Sequence, residues 1–112
     1  MPDYWSQSSY STGANATISQ APRDPGFHVR MRSFQIAAAS AAGNKTLQVL
    51  DGATVVWQAI IPGGSIDTFS QVDIRASPGN TLTVQFTGGS SADTSIAAQG
   101  DFCAPSAGYL LE

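Results

Sequence analysis

The chain has 112 residues, 42% of them hydrophobic, and a net charge of −3. This suits one domain with a single modest core and argues against wrapping nucleic acid, which needs concentrated positive charge. A single cysteine, Cys103, rules out an intrachain disulfide, and no window approaches the roughly 18 apolar residues of a membrane span. The polar opening MPDYWSQSSYS is unlike a secretory leader, so the expectation is a soluble protein made in a reducing cytoplasm, with no membrane partner.

In chain order, residues 1–14 are Ser-rich and show no strand or helix period, but hold Tyr4, Trp5 and Tyr10. They read as an arm outside the globular part, either a frayed tail or, given aromatics of the kind enriched where surfaces meet, a docking arm. Residues 15–20 make a candidate edge strand, ended by the Pro22 to Gly26 break. In 27–38, Phe27, Val29 and Met31 share one phase, then Phe34, Ile36 and Ala38 take the other, the signature of a β-bulge. A small-residue loop at 39–44 precedes strands at 45–50 and 53–61, joined at Asp51-Gly52 by a tight hairpin.

Further strands fall at 71–76, 81–87 and 95–103, separated by Ser77-Pro78-Gly79-Asn80 and by the 88–93 loop. No stretch reads as a long amphipathic helix. About eight short strands at near-regular spacing predict an all-β fold, a small eight-stranded antiparallel β-sandwich of jelly-roll type, with an immunoglobulin-type sandwich as its rival. The sandwich is expected over 15–103, with 104–112 as a C-terminal tail.

Chemistry is poorly provided for. His28 is the only histidine, so a jelly-roll metal site built from several His ligands is out of reach. One cysteine excludes a C-x-x-C zinc site, and no G-x-S-x-G nucleophile elbow is present. Asp24, Asp51, Asp67 and Asp93 sit at turns or strand ends, where such residues satisfy their own backbone. The expectation is a non-enzyme with no cofactor and no metal. Cys103 reads as a small buried hydrophobe. His28, Arg30 and Arg32 form a basic stripe that is either a solvated face or the complement of acidic groups on a neighbour. Trp57 is a packing residue before it is a sugar-stacking platform.

The stretch LDGATVVWQAIIPGG (50–64) poses the sharpest question, because its apolar residues do not alternate. Val55, Trp57, Ala59 and Ile61 can fill a core, which leaves Val56 and Ile60 on the other face beside Gln58. No helix within the chain covers them. A closed homo-oligomer, with a trimer as the first guess, is therefore expected to bury them.

The runs HVRMRSFQIAAAS, LQVLDGATVVWQAIIPGG and VDIRASPGNTLTVQFTGGSSADTSIAAQG together resemble the small jelly-roll virion proteins of tailed bacteriophages, over residues 15–103. The shared positions are turns and core, so no functional residue carries over. The resemblance implies a decoration (cement) protein on the capsid exterior, bound to the major capsid protein. Its alternative is a receptor- or glycan-binding module of a tail fibre or spike. The interface candidates are Tyr4, Trp5, Tyr10, His28, Arg30, Arg32, Val56 and Ile60.

Overall fold

The computed structural model describes residues 4–24 and 26–103; the expected tail at 104–112 lies outside them. Within them nine strands run in chain order as β1 (Tyr4–Ser11), β2 (Thr17–Gln20), β3 (His28–Ala38), β4 (Lys45–Asp51), β5 (Thr54–Ile61), β6 (Ile66–Phe69), β7 (Ile74–Arg75), β8 (Leu82–Thr87) and β9 (Thr94–Cys103). Among the described residues the only helical element is a 3-10 turn at Ser40–Ala42.

The strands pair into two antiparallel sheets. One has the order β1-β9-β3-β6, with β7 also on β3; the other has the order β2-β8-β4-β5. Apart from the β4–β5 hairpin and the β6–β7 edge, successive strands alternate between sheets, which is the jelly-roll path. The expected antiparallel sandwich is thus observed, with nine strands in place of eight and with β1 ahead of the expected start at residue 15.

Alternation explains the core. Val29, Met31, Phe34 and Ile36 of β3 face Leu47 and Val49 of β4 and Leu82, Val84 and Phe86 of β8, all buried. Trp57, Phe34 and Phe69 form an aromatic cluster at one side: Phe34 stacks on Phe69 at 4.6 Å, and Trp57 meets each edge-on at 5.6 Å. Trp57 therefore packs. The phase switch in β3 is a bulge between Met31 and Ser33, where Arg32 is the extra residue.

Several expectations need correction. Residues 4–11 are no free arm: they form β1, an edge strand paired with β9 throughout, and Trp5 is buried with its Nε1 donating to the Asp101 carbonyl at 3.2 Å. Val55 does not reach the core. A bulge at Val56 puts Val55 opposite Leu50 on the outer face, and Val55 is 41% exposed. The hairpin centre is Gly52-Ala53 rather than Asp51-Gly52, and only Gly52 needs positive φ, at 62°. Cys103 is half-buried, at the end of β9 opposite His28.

The two turn motifs meet. Asp51 accepts hydrogen bonds from the Ser77 backbone N–H at 3.0 Å, Ser77 Oγ at 2.7 Å and Asn80 Nδ2 at 2.9 Å, which clasps the hairpin to the Ser77–Asn80 turn. Burial pushes the Asp51 carboxyl up, but these bonds outweigh it and the net shift is downward.

Candidate functional site

The structure distributes the predicted interface residues over three places. Val56 and Ile60 lie on β5, the edge of the four-stranded sheet. His28, Arg30 and Arg32 lie on β3, inside the five-stranded sheet, and Tyr4, Trp5 and Tyr10 lie on its edge strand β1.

On β5 the expected surplus of apolar surface is real. Ile60 is 70% exposed, Val56 47%, and Val55 joins them. The register shows what surrounds them. Ile60 stands opposite Thr46, which stands opposite Thr87; Val55 stands opposite Leu50, and Leu50 opposite Thr83. Between these rows runs an amide ladder: Gln85 Nε2 donates to Gln48 Oε1 at 3.1 Å, and Gln48 Nε2 donates to Gln58 Oε1 at 3.2 Å. This face carries no charged side chain between its threonines and its aliphatic margin.

Among the described residues no strand pairs with the outer side of this edge. β5 is eight residues long and has neither proline nor charge, the usual devices that keep edges from pairing; its one irregularity is the bulge at Val56. By contrast β2 and β6 have four residues each, and β7 has two. The β1 edge is as long, but its outward side chains are serines and tyrosines.

The basic stripe is largely satisfied within the chain. Arg30 grips Asp101, its cross-strand partner, through Nε–Oδ1 and Nη2–Oδ2 contacts of 2.7 Å each, and Arg32 Nη1 lies 3.6 Å from the same carboxylate. The hydrogen bond from Arg30 holds the Asp101 carboxyl below its ordinary range, against the opposing effect of burial. His28 Nδ1 lies 2.9 Å from the Ala76 carbonyl, so that nitrogen carries the proton and donates it. The acid that Arg30 and Arg32 meet is thus Asp101 of the same sheet, not one on a neighbouring molecule.

Tyr4 and Tyr10 are 70% and 66% exposed. Tyr10 is tethered: its hydroxyl donates to Asp93 Oδ2 at 2.7 Å, while Asp93 Oδ1 accepts the Gly13 N–H at 2.8 Å. The tether raises the tyrosine and lowers the aspartate from their ordinary values. Asp93 and Asp101 were not singled out as partners from sequence, since each lies more than seventy residues from the group it meets.

Among the described residues no three His, Cys, Asp or Glu side chains gather where a metal ion could be held, and no helix is long and apolar enough to cross a membrane.

No family model matches the chain, and no curated protein matches it. Solved structures do. The crystal structure of PirA aligns over 85% of this chain and 93% of its own with TM-score 0.53 and 13% identity. A ruminal GH26 endo-β-1,4-mannanase aligns over 80% of this chain with TM-score 0.46 and 13% identity, and the dimeric latent PorU from Porphyromonas gingivalis over 88% with TM-score 0.40 and 12% identity. This chain spans only 18% and 13% of those two proteins. At such identities the likeness to PirA shows the sandwich fold alone.

Proposed function

We propose that the chain is a non-enzymatic structural module that self-associates through β5 and serves as a decoration (cement) protein on the outside of a bacteriophage capsid. The observation that supports the reading is the row of exposed Val55, Val56 and Ile60 on a long, uncharged, unpaired edge strand. A second copy of β5, antiparallel to the first, satisfies the open backbone groups of both and covers both aliphatic margins, which is the self-complementary geometry of a two-fold contact. A trimer needs a different contact, in which the outer face of one subunit covers the edge of the next. The virion part of the reading draws on the motif resemblance, whose D-G and S-P-G-N elements form the Asp51 clasp.

Sedimentation equilibrium at micromolar concentration tests self-association. The wild type is expected to sediment as an oligomer and Ile60→Asp as a monomer. Co-sedimentation with undecorated capsids of the encoding phage tests the lattice role. A wild-type monomer refutes the first, and absence from the capsid pellet refutes the second.

A further inference from the structure

The outer face of the five-stranded sheet, away from β5, holds a feature that the assembly role does not use. Its side chains fall in rows across the strands. At one end lies the charged row of Arg30 and Asp101; at the other, Tyr10 and Ser95 lead through Ala37 to Ile66, which is 71% exposed. The two rows between are uncharged, with Ser6 beside Gln99 in one, and Ser8, Gln35 and Thr68 around Ala97 in the other.

Four shallow depressions follow one another along this face, each sharing lining residues with the next. Ser6 and Gln99 join the first to the second, Gln35 and Ala97 the second to the third, and Tyr10 and Ser95 the third to the fourth. The second has a volume of about 280 Å³. Together they make a trough parallel to the strands from Tyr4 to Tyr10, a span of roughly 20 Å at the usual rise per strand residue.

The trough's chemistry restricts its occupant. Hydroxyls and carboxamides both donate and accept, so its middle suits a ligand that does the same along its length. The Gln99 amide is held in place by donating to Ser33 Oγ at 3.0 Å, which leaves its oxygen and second N–H for a ligand. The exposed Tyr10 ring, fixed by Asp93, gives an aromatic surface for an apolar ring face. A nucleic acid needs positive charge along the whole trough and not at one end, and a peptide that adds as a strand needs the in-plane backbone groups of the β1 edge and not the sheet face. The floor offers neither.

We infer that this trough binds a linear, neutral oligosaccharide, stacked on Tyr10 and hydrogen-bonded by Gln35 and Gln99. The test is calorimetric titration of the full chain with linear hexasaccharides of glucose, of mannose and of N-acetylglucosamine. At least one is expected to bind saturably. Tyr10→Ala and Gln35→Ala should each weaken it about 5- to 10-fold, while Tyr10→Phe, which keeps the ring, stays within about 3-fold. Both positions are exposed, and unchanged thermal melting of the variants shows that the fold persists. Ile60→Asp, which breaks the proposed self-association, leaves the titration unchanged, so the two readings fail separately. Absence of binding by all three sugars at millimolar concentration overturns the inference. So does binding that neither Tyr10→Ala nor Gln35→Ala weakens, or saturable binding of an uncharged extended peptide in their place.

Discussion

Lys45 begins β4 in phase with Leu47 and Val49, and it is buried as they are, at 2% exposure. Its ammonium donates to Asn15 Oδ1 at 2.6 Å and to the Gly88 and Ser90 carbonyls at 2.9 Å each, so all three protons are used, with no counter-ion among the described residues. Those acceptors belong to the approach to β2 and to the loop between β8 and β9, which Lys45 stitches together from β4. Lys45→Met keeps the length and apolar stem but removes the donors. Two effects compete: burying an ammonium costs several kcal/mol, which the variant recovers, while each charged hydrogen bond contributes a net of about 1.5–3 kcal/mol. The bonding figure is already net of desolvation, so it decides the sign. Asn15, Gly88 and Ser90 are exposed, and water can reclaim part of the loss. The expected destabilisation is therefore about 2–3 kcal/mol, roughly half of the ~4.5 kcal/mol that three such bonds represent at their weakest, the remainder being recovered by water at the freed acceptors. For a domain of this size that lowers Tm by roughly 10–20 °C. Urea unfolding followed by the fluorescence of Trp5 and Trp57 measures it, with an unchanged m-value confirming that stability alone has moved. A variant as stable as the wild type, or more so, refutes the reasoning and shows that desolvation dominates.

Gly100 lies on β9 where the Arg30 backbone passes so close that a Cβ would collide with its carbonyl oxygen. Backbone has no rotamer with which to yield, so Gly100→Ala is expected to cost about 3 kcal/mol or more, read as lost soluble yield or a collapsed melting temperature. Asp51 and Asp101 have folded-state values below the ordinary carboxylate range. Their contribution is complete above about pH 4 and is lost as pH falls through the depressed values, so Tm should drop in that acid window. Asp51→Asn with Asp101→Asn should flatten that drop, and an identical slope in the double variant would count against it. Paired Val56→Asp and Ile60→Asp substitutions should remove self-association, which buries about 3 kcal/mol of aliphatic surface per chain. They should change the stability of the isolated subunit by less than about 0.5 kcal/mol, as scanning calorimetry at submicromolar concentration would show.

Where side chains alternate cleanly, sequence and structure agree, as in Leu82, Val84 and Phe86 of β8. The β3 bulge was legible too, since one inserted residue inverts the phase of everything beyond it. β1 was not. Of its inward positions only Trp5 is strongly apolar; Gln7 instead donates to Gln20 Oε1 at 2.8 Å, so hydrogen bonding fills the place of a periodic hydrophobe. The strand expected at 71–76 shrinks to Ile74–Arg75, with Gln71 held at a φ of 60° just before it. β6 escaped because its residues break the expected pattern: Ile66 faces outward, while Asp67, opposite the buried Ile36, takes an inner-face position beside Phe69. On β5, the exposed Val56 and Ile60 could be read from the lack of alternation, but the bulge that turns Val55 outward leaves no mark in a run where both neighbours are apolar. The Asp101 clamp depends on strands distant in the chain, and no local pattern announces it.

In the five-stranded sheet Tyr4 stands opposite Asp101, and Cys103 opposite His28. The first and last strands therefore run antiparallel side by side, and the polypeptide enters and leaves the sandwich at one pole. A cassette wired in this way can be spliced into a surface loop of a larger host, or hung from it by two tethers, without stretching either. Pulled by those tethers, it would peel open one residue pair after another instead of shearing a whole row at once.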